Sequence, residues 1–329
     1  MGSIPKEVDT ELHPFVRIYK DGSVERLIGS PYVAPSPDQD PETGVSSKDI
    51  TISHDPSISA RLYLPTLDQT AAQNQKLPVL VYFHGGGFCI ESAFSSDHQQ
   101  FLNSLVAQAQ VVAVSVEYRL APEHRLPIAY EDCWAALQWV VSASHSIDNG
   151  TVNEEPWLIN HGDFKRVFIG GDSAGANIAH NITMRAGDES LHGGVKILGT
   201  FLTHPYFWGS KPVGSEPSAG PDEKPLPHVV WNFTYPAAPG GIDNPMINPT
   251  GPGAPSLAGL GCSRLLVVVA EKDELRERGV FYYDQVRKSN WEGEVELVQV
   301  DGEDHAFHVL KFGSENAKNL IKRLASFLK

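Results

Sequence analysis

The chain of 329 residues is long enough for one large α/β domain with additions, or for two modest domains. Its composition, 41% hydrophobic and 20% charged, is typical of a globular protein with a substantial core. Acidic residues outnumber basic ones by 40 to 26, and the formal net charge of −14 gives a surface that repels phosphate backbones and anionic lipid headgroups. We therefore expect neither nucleic acid nor a membrane as a partner.

The cysteines and the first residues bear on the cellular compartment. Cys89, Cys133 and Cys262 are scattered and form no C-x-x-C pair, which is typical of a reducing compartment. Residues 1–6 lack an apolar signal core, and no apolar run approaches the ~20 residues that span a bilayer. These features predict a cytoplasmic protein.

The first 45 residues are predicted to be an arm that is either a lid element or a pendant tail. They mix acids and prolines with two apolar stretches, residues 15–19 and 24–27. The proline-rich residues 31–41 suit neither a strand nor a helix. The apolar stretches favour the lid.

From residue 46 onwards, strands alternate with helices. The strands are short runs rich in β-branched and aromatic residues, and the helices carry apolar residues at helical spacing. Predicted strands cover residues 48–52, 59–64, 77–83, 111–116, 167–169, 198–202, 265–269 and 295–300. Predicted helices cover residues 97–110, 128–142, 174–186, 275–289 and 315–328, and residues 68–76 read as a polar loop. This order predicts an α/β fold with a mainly parallel, doubly wound sheet, whose core comprises residues 46–206 and 263–329.

Residues 207–262 interrupt the alternation. Glycine and proline recur there with little periodicity, yet the segment holds several large apolar side chains, among them Trp231 and Phe233. A stretch of this length inside a compact domain usually signals a functional insertion. We expect it to form a cap over an active site.

The pentapeptide Gly171-Asp172-Ser173-Ala174-Gly175 directly follows one predicted strand and opens a predicted helix. This G-x-S-x-G pattern is typical of a nucleophile elbow, a sharp strand-to-helix turn that exposes a serine hydroxyl. The glycines are required because a Cβ at either position would crowd the neighbouring strand and helix. The pattern also arises by chance, so it needs support from the rest of the chain.

The run His84-Gly85-Gly86-Gly87-Phe88 follows the predicted strand at 77–83 and supplies the first support. A glycine-rich loop of this type and the residue after the nucleophile jointly form the oxyanion hole of α/β-hydrolases. The predicted donors are the amides of Gly85, Gly86 and Ala174. A phosphate loop fits badly, because neither a Lys-Ser/Thr pair nor the G-x-G-x-x-G spacing follows.

A carboxylate and a histidine follow two later strands. Asp273 begins the loop after the strand at 265–269 and is the predicted acid, with Glu271 as the rival and helix capping as the structural alternative. His305 follows the last strand and is the predicted base, with His308 as the competitor. A His305/His308 metal site lacks an evident third ligand. The order Ser, Asp, His is that of α/β-hydrolases.

With these residues in place, the chain resembles the plant carboxylesterase branch of the hormone-sensitive-lipase-like α/β-hydrolases. The matching pieces, spread over residues 77–308, are His84 to Phe88, Glu117-Tyr118-Arg119-Leu120-Ala121-Pro122-Glu123, Gly171 to Asn177, Glu271-Lys272-Asp273 and Gly302-Glu303-Asp304-His305. The resemblance implies a cap made from the arm and the insertion. It also implies activity on small or medium esters of apolar acids.

The same group includes proteins that are not esterases. Gibberellin receptors resemble this fold but lack the catalytic histidine, so His305 argues against a pure receptor. Hydroxyisoflavanone dehydratases typically have threonine as the nucleophile, so Ser173 favours the esterase. Residues 88–94 and 239–245 also resemble cyclases of alkaloid biosynthesis, which keeps a dehydratase or cyclase open as the alternative.

The predicted mechanism is acyl transfer to Ser173, with His305 as base and Asp273 as its orienting acid. The predicted partner is a small ester or specialised metabolite, and no metal or organic cofactor is required. The predicted pocket residues are Phe88, Ile90, Trp231 and Phe233. Arg119 with Glu123 or Asp132 is predicted to form a structural ionic network, and Cys89 and Cys133 are predicted to be small core residues.

Overall fold

The computed structural model describes residues 6–67, 76–145, 155–216 and 224–329. The polar loop predicted at residues 68–76 lies outside the described residues, apart from Lys76. A central sheet has eight strands in the order β11-β10-β9-β8-β6-β7-β5-β4. These strands are β4 (Ser46–His54), β5 (Ser57–Leu64), β6 (Leu77–Phe83), β7 (Val112–Glu117), β8 (Gly162–Asp172), β9 (Ile197–Thr203), β10 (Cys262–Ala270) and β11 (Glu294–Val300).

Six adjacent strands of this sheet, from β11 to β7, pair in parallel, and β5 and β4 continue it antiparallel. Strand β6 lies at the centre and all seven of its residues are buried, as its continuous apolar sequence predicts. The helices are α1 (Ser96–Ala109), α2 (Ile128–Ser142), α3 (Pro156–His161), α4 (Ala174–Asp188), α5 (Leu226–Thr234), α6 (Arg276–Lys288), α7 (Phe307–Leu310) and α8 (Glu315–Phe327). The predicted α/β architecture is confirmed.

Two apolar cores cover the two faces of the sheet. Helices α1 and α8 pack on one face through side chains such as Phe101 and Leu324. Helices α2, α4 and α6 pack on the other, and this second core extends into the arm and the insertion through Val16 and Trp231. Because parallel strands end at one edge of the sheet, the loops that leave β6, β8, β10 and β11 meet there.

The arm contains a small antiparallel sheet of β1 (Val8–Leu12), β2 (Val16–Tyr19) and β3 (Val24–Arg26). The sequence reveals only its apolar stretches, because strands of three to five residues are too short for a clear alternation. The insertion contains α5, and α3 and α7 are further helices absent from the predicted set. Pro225 and Pro227 stand just before and within the first turn of α5, and they conceal the helix because proline is tolerated only in a first helical turn.

The predicted ionic network takes a specific form. Asp132 is buried and accepts hydrogen bonds from Arg119 N, Nε and Nη2 at 3.0, 2.9 and 2.6 Å. Glu123 pairs instead with Arg26 of the arm, at 2.9 Å. The three cysteines are buried and unpaired. Within the described ranges, no helix combines the length and apolarity that a membrane crossing requires.

Candidate active site

Ser173 occupies a strained turn between β8 and α4. Its backbone has φ 53° and ψ −117°, which places a non-glycine residue in the left-handed half of conformational space. A Cβ at Gly171 would collide with Phe83 O and with the backbone of Gly175, and a Cβ at Gly175 would collide with Phe83 O. The two glycines therefore let the turn pass close to β6, and the turn presents Ser173 Oγ at the carboxyl edge of the sheet.

The three predicted triad residues form one hydrogen-bonded line. Ser173 Oγ lies 2.8 Å from His305 Nε2, and His305 Nδ1 lies 2.8 Å from Asp273 Oδ2. Asp273 is buried, and its other carboxylate oxygen accepts from Leu275 N at 2.9 Å. With the imidazole proton on Nδ1, Nε2 is free to accept the serine proton.

The two rival residues lie elsewhere. Glu271 is exposed, and its carboxylate accepts from Gly302 N at 2.6 Å, beyond the β10 edge. His308 is fully buried, and its ring stands edge-on to Phe101 of α1 at 5.1 Å. The distances thus link Asp273 and His305, and not their neighbours, to the serine.

Opposing effects act on the imidazole of His305. Burial lowers its pKa, but the hydrogen bond to Asp273 and the charge of that carboxylate outweigh burial and raise the pKa above 6.5. The imidazolium that forms when His305 accepts a proton is therefore stabilised.

One group among the described residues could hold a metal ion: His204, Asp273 and His305, whose ligand atoms lie within 4.8 Å of one another. The hydrogen bond between Asp273 and His305 already uses one atom of each. His204 Nδ1 accepts from Ala306 N at 3.2 Å. A cation there would have to displace the hydrogen bonds that align the base.

The structure corrects one predicted oxyanion donor. The amide of Gly85 donates to Asp172 Oδ1 at 3.0 Å, inside the protein, so it cannot also donate to a substrate oxygen. Gly86 and Gly87, with φ of 101° and 57°, instead line a cavity above Ser173. Ala174 is the first residue of α4, so its amide has no acceptor within the helix. The available donors are therefore the amides of Gly86, Gly87 and Ala174.

A cavity of about 600 Å³ opens above Ser173, a size suited to a small organic molecule. Its apolar lining comes from the arm, the insertion, the glycine loop and the segments around Asp273 and His305. These apolar residues are Phe15, Ile28, Ile90, Tyr206, Leu226, Pro227, Val230, Leu275, Val309 and Leu310. Ile28, Leu226 and Leu310 are also well exposed and form the mouth.

Of the four predicted pocket residues, only Ile90 lines the cavity. Phe88 has φ 61°, and its ring is buried against Tyr206 and Trp231. Trp231 is fully buried and donates from Nε1 to Gly241 O at 2.9 Å. Phe233 packs on the apolar core and is not part of the lining. The prediction is wrong for these three aromatic residues, because they pack in or against the apolar core and do not line the cavity.

The residues that sequence reasoning missed carried only weak signals. Phe15 falls in an apolar stretch of the arm. In the insertion, Val230 is adjacent to Trp231, and Leu226 lies a few residues before it. The helical period of α5 explains the error: Val230 faces the cavity, whereas the next residue, Trp231, faces the core.

Carboxylates dominate the charged lining of the cavity. Six carboxylates line it, against the basic side chains of Lys272, His98 and His305; the carboxylates are those of Glu91, Asp97, Asp172, Asp273, Glu274 and Asp304. Burial, followed by repulsion from Asp273, raises the pKa of Glu274. The potential in the cavity therefore disfavours anionic ligands.

Comparison with known proteins agrees with this geometry. A family model described as "alpha/beta hydrolase fold" matches residues 80–309. The chain is 59% identical to 2-hydroxyisoflavanone dehydratase from Glycyrrhiza echinata, over 98% of this chain and 97% of the relative, and 43% identical to probable carboxylesterase 13 from Arabidopsis thaliana, over 98% of both. An esterase from Pyrobaculum calidifontis matches with a TM-score of 0.68 and 28% identity, over 86% of this chain and 84% of that chain. The resemblance to plant carboxylesterases is confirmed.

Proposed function

Because the chain belongs to the α/β-hydrolase fold family, we propose that it is a serine carboxylesterase that hydrolyses small to medium apolar esters through an acyl-enzyme. The observation that carries the proposal is the hydrogen-bonded line from Ser173 through His305 to Asp273 at 2.8 Å per step. Nucleophile and base lie within direct proton-transfer distance, and the base is held by a buried carboxylate.

The proposed reaction has two halves. His305 Nε2 takes the proton of Ser173 as Oγ attacks the ester carbonyl, and the amides of Gly86, Gly87 and Ala174 stabilise the oxyanion. His305 then gives its proton to the leaving alcohol, which leaves an acyl group on Ser173. Water, deprotonated by His305, attacks the acyl-enzyme and releases the carboxylic acid and the free serine. Asp273 keeps the imidazole in the required tautomer throughout.

We propose further that residues 1–45 and 207–262 act as a cap that selects the substrate. This is supported by the contributions of Phe15 and Ile28 from the arm, and of Leu226 and Val230 from the insertion, to the apolar lining. The substrate groups that this lining favours are apolar, and the carboxylates of the cavity favour neutral or cationic esters over anionic ones.

Hydrolysis of p-nitrophenyl acetate and butyrate tests the proposal. We expect Ser173→Ala to reduce kcat by at least about 10³-fold, since the reaction loses its nucleophile. Ser289→Ala is the matched control, because that hydroxyl donates to Val286 O at the end of α6 and takes no part in the site. Equal rates for wild type and Ser173→Ala would refute the triad assignment.

The 59% identity to a 2-hydroxyisoflavanone dehydratase supports a second candidate. In this alternative, His305 removes a proton next to the carbonyl of a 2-hydroxyisoflavanone, the same amides hold the enolate oxygen, and hydroxide leaves with a proton as water. The attacking serine is unnecessary, so Ser173→Ala should keep dehydratase activity while His305→Ala loses it. Isoflavone formation, monitored by absorbance in both variants, separates the two candidates. If the wild type hydrolyses esters but forms no isoflavone, only the esterase proposal remains.

A further inference from the structure

A buried histidine outside the triad also contributes to the lining of the cavity. His98 of α1 is 2% exposed. Its Nε2 lies 3.5 Å from Asp172 Oδ1, and its Nδ1 lies 3.6 Å from Glu91 Oε2. Each ring nitrogen therefore lies near a carboxylate oxygen, although neither contact has hydrogen-bond geometry.

The proximity of two carboxylates favours a positive charge on the ring. A neutral imidazole carries one N–H, so its other nitrogen would direct a lone pair at a carboxylate in a medium of low polarity. Only the doubly protonated ring has a proton for each partner. Burial lowers the pKa of His98, but Asp172 and Glu91 outweigh it and raise the pKa to about 9, whereas the same ion pair lowers the pKa of Glu91 to about 2.

The neighbouring histidines add no second positive charge. The His84 ring lies 5.6 Å away and is neutral at pH 7, since burial and then His98 lower its pKa to about 4. His308 is neutral for the same main reason, burial, with a pKa of about 4. Glu117 is also near, but its carboxylate accepts from Ser92 Oγ at 2.7 Å and from Ala93 N.

The two carboxylates connect His98 to three separate parts of the site. Asp172 precedes the nucleophile and accepts from Tyr82 Oη at 2.5 Å and from Gly85 N at 3.0 Å, so it joins the elbow to the glycine loop. Glu91 accepts from Ser30 N at 2.9 Å and from Ser30 Oγ at 2.8 Å, so it joins the arm to the end of the same loop.

The glycine loop packs tightly against the backbone of the residues that follow it, Ile90 and Glu91. A Cβ on Gly86 would collide with Ile90 O and come within 3.1 Å of Glu91 Cβ. Gly86 therefore rests on the backbone that carries Glu91. A shift of Glu91 must move a donor of the proposed oxyanion hole.

We propose that His98 is a permanent buried imidazolium that acts as a positioning residue: it draws Asp172 and Glu91 together and thereby fixes the elbow, the glycine loop and the arm in one arrangement. Its effect on rate rests on the proposed hydrolase function, because the loop matters to catalysis only if its amides receive an oxyanion. Its charge and its hold on the loop do not depend on that function.

The charge is tested directly by ¹⁵N NMR of the imidazole nitrogens in the full-length protein. The His98 signals are assigned by their loss in His98→Gln. We expect two protonated ring nitrogens for His98 at pH 7.5, where a histidine in water is mostly neutral. A single protonated nitrogen at that pH overturns the proposal, whatever reaction the protein catalyses.

The hold on the loop is tested by amide hydrogen exchange of a peptide that covers residues 84–94. We expect faster exchange in His98→Gln, and no change in His180→Gln. His180 is an equally buried histidine whose pKa burial lowers to about 3, so the control removes an uncharged ring. Unchanged exchange in His98→Gln overturns the positioning role.

The kinetic consequence separates positioning from general loss of structure. For p-nitrophenyl butyrate we expect kcat of His98→Gln to fall on the order of 10- to 100-fold with KM nearly constant, because a misplacement of about 1 Å has that effect. Adding Glu91→Gln should restore part of kcat, since it removes a carboxylate left without its cation. If wild type hydrolyses esters but kcat is unchanged in His98→Gln, the proposal fails while the proposed function stands. If no variant hydrolyses esters, the NMR and exchange results still decide it.

Discussion

The backbone amide of Gly85 donates to Asp172 Oδ1 across 3.0 Å, which ties the first glycine of the loop to the residue before the nucleophile. A Cβ on Gly85 would collide with that carboxylate, so the position requires glycine although its amide does not face the cavity. The contact sets the distance between the loop and the elbow. It also leaves the amides of the two following glycines, Gly86 and Gly87, as the proposed oxyanion donors of the loop.

The pH dependence of hydrolysis follows from His305. Only the neutral imidazole can accept the Ser173 proton, and the raised pKa means that the ring retains its own proton to a higher pH than a free histidine. We expect kcat/KM for a neutral ester to rise with pH along a limb whose midpoint lies above 6.5. A midpoint clearly below 6.5 would contradict the role of Asp273.

Substitution of the acid tests the same relationship. Asp273→Asn should lower kcat on the order of 10⁴-fold, as loss of the buried carboxylate does in serine proteases. It should also move the limb of any residual activity to lower pH. Glu271→Gln is the matched control, since Glu271 bonds to Gly302 N and not to His305. A larger effect of Glu271→Gln than of Asp273→Asn would reverse the assignment.

The charge of the cavity predicts a preference among esters of similar size. Glu274 lines the cavity, so Glu274→Gln should raise kcat/KM for a p-nitrophenyl ester with a terminal carboxylate by up to about fivefold. It should lower kcat/KM for an ester with a terminal tertiary amine by up to about the same factor. The difference between Glu274→Gln and wild type should be smaller in high salt than in low salt, because screening weakens the effect of Glu274 in the wild type. Glu292→Gln makes the same change in net charge on an exposed loop, and an equal shift there would exclude a local effect.

The proposed cap can be tested on one helix. Leu226 is 42% exposed and lines the mouth of the cavity, whereas Val229 is 37% exposed on the same helix and is not part of the lining. We expect Leu226→Trp to raise KM for a bulky aryl ester several-fold and to affect the acetate ester less. Val229→Trp should leave KM for both esters at the wild-type value. Identical behaviour of the two variants would argue against substrate selection at the mouth.

The Arg119–Asp132 pair predicts a loss of stability rather than of chemistry. Asp132→Ala removes a buried acceptor of three hydrogen bonds and leaves Arg119 N unsatisfied, which should lower the free energy of unfolding by about 1–3 kcal/mol in urea denaturation. Glu131→Ala, next to it on α2, removes an exposed ion pair with Arg185 and should cost less than about 1 kcal/mol. Equal losses in the two variants would show that burial of Asp132 contributes nothing.

The sequence by itself determined the sheet and the candidate residues Ser173, His305 and Asp273. Strand β6 is apolar along its whole length, and such a continuous apolar run is typical of a strand that is covered on both faces. The elbow glycines and the order of Ser173, Asp273 and His305 are equally legible, because each depends on a few neighbouring residues and on the rule that parallel strands end at one edge.

Only the tertiary structure decided which side chains line the cavity. Phe88 and Ile90 lie two residues apart in the same loop, and a positive φ at Phe88 turns its ring into the core while Ile90 reaches the cavity. His98 lies within the helix predicted at residues 97–110, and only packing places it near Asp172 and Glu91. These outcomes depend on contacts between segments far apart in the chain, and local patterns carry no information about such contacts.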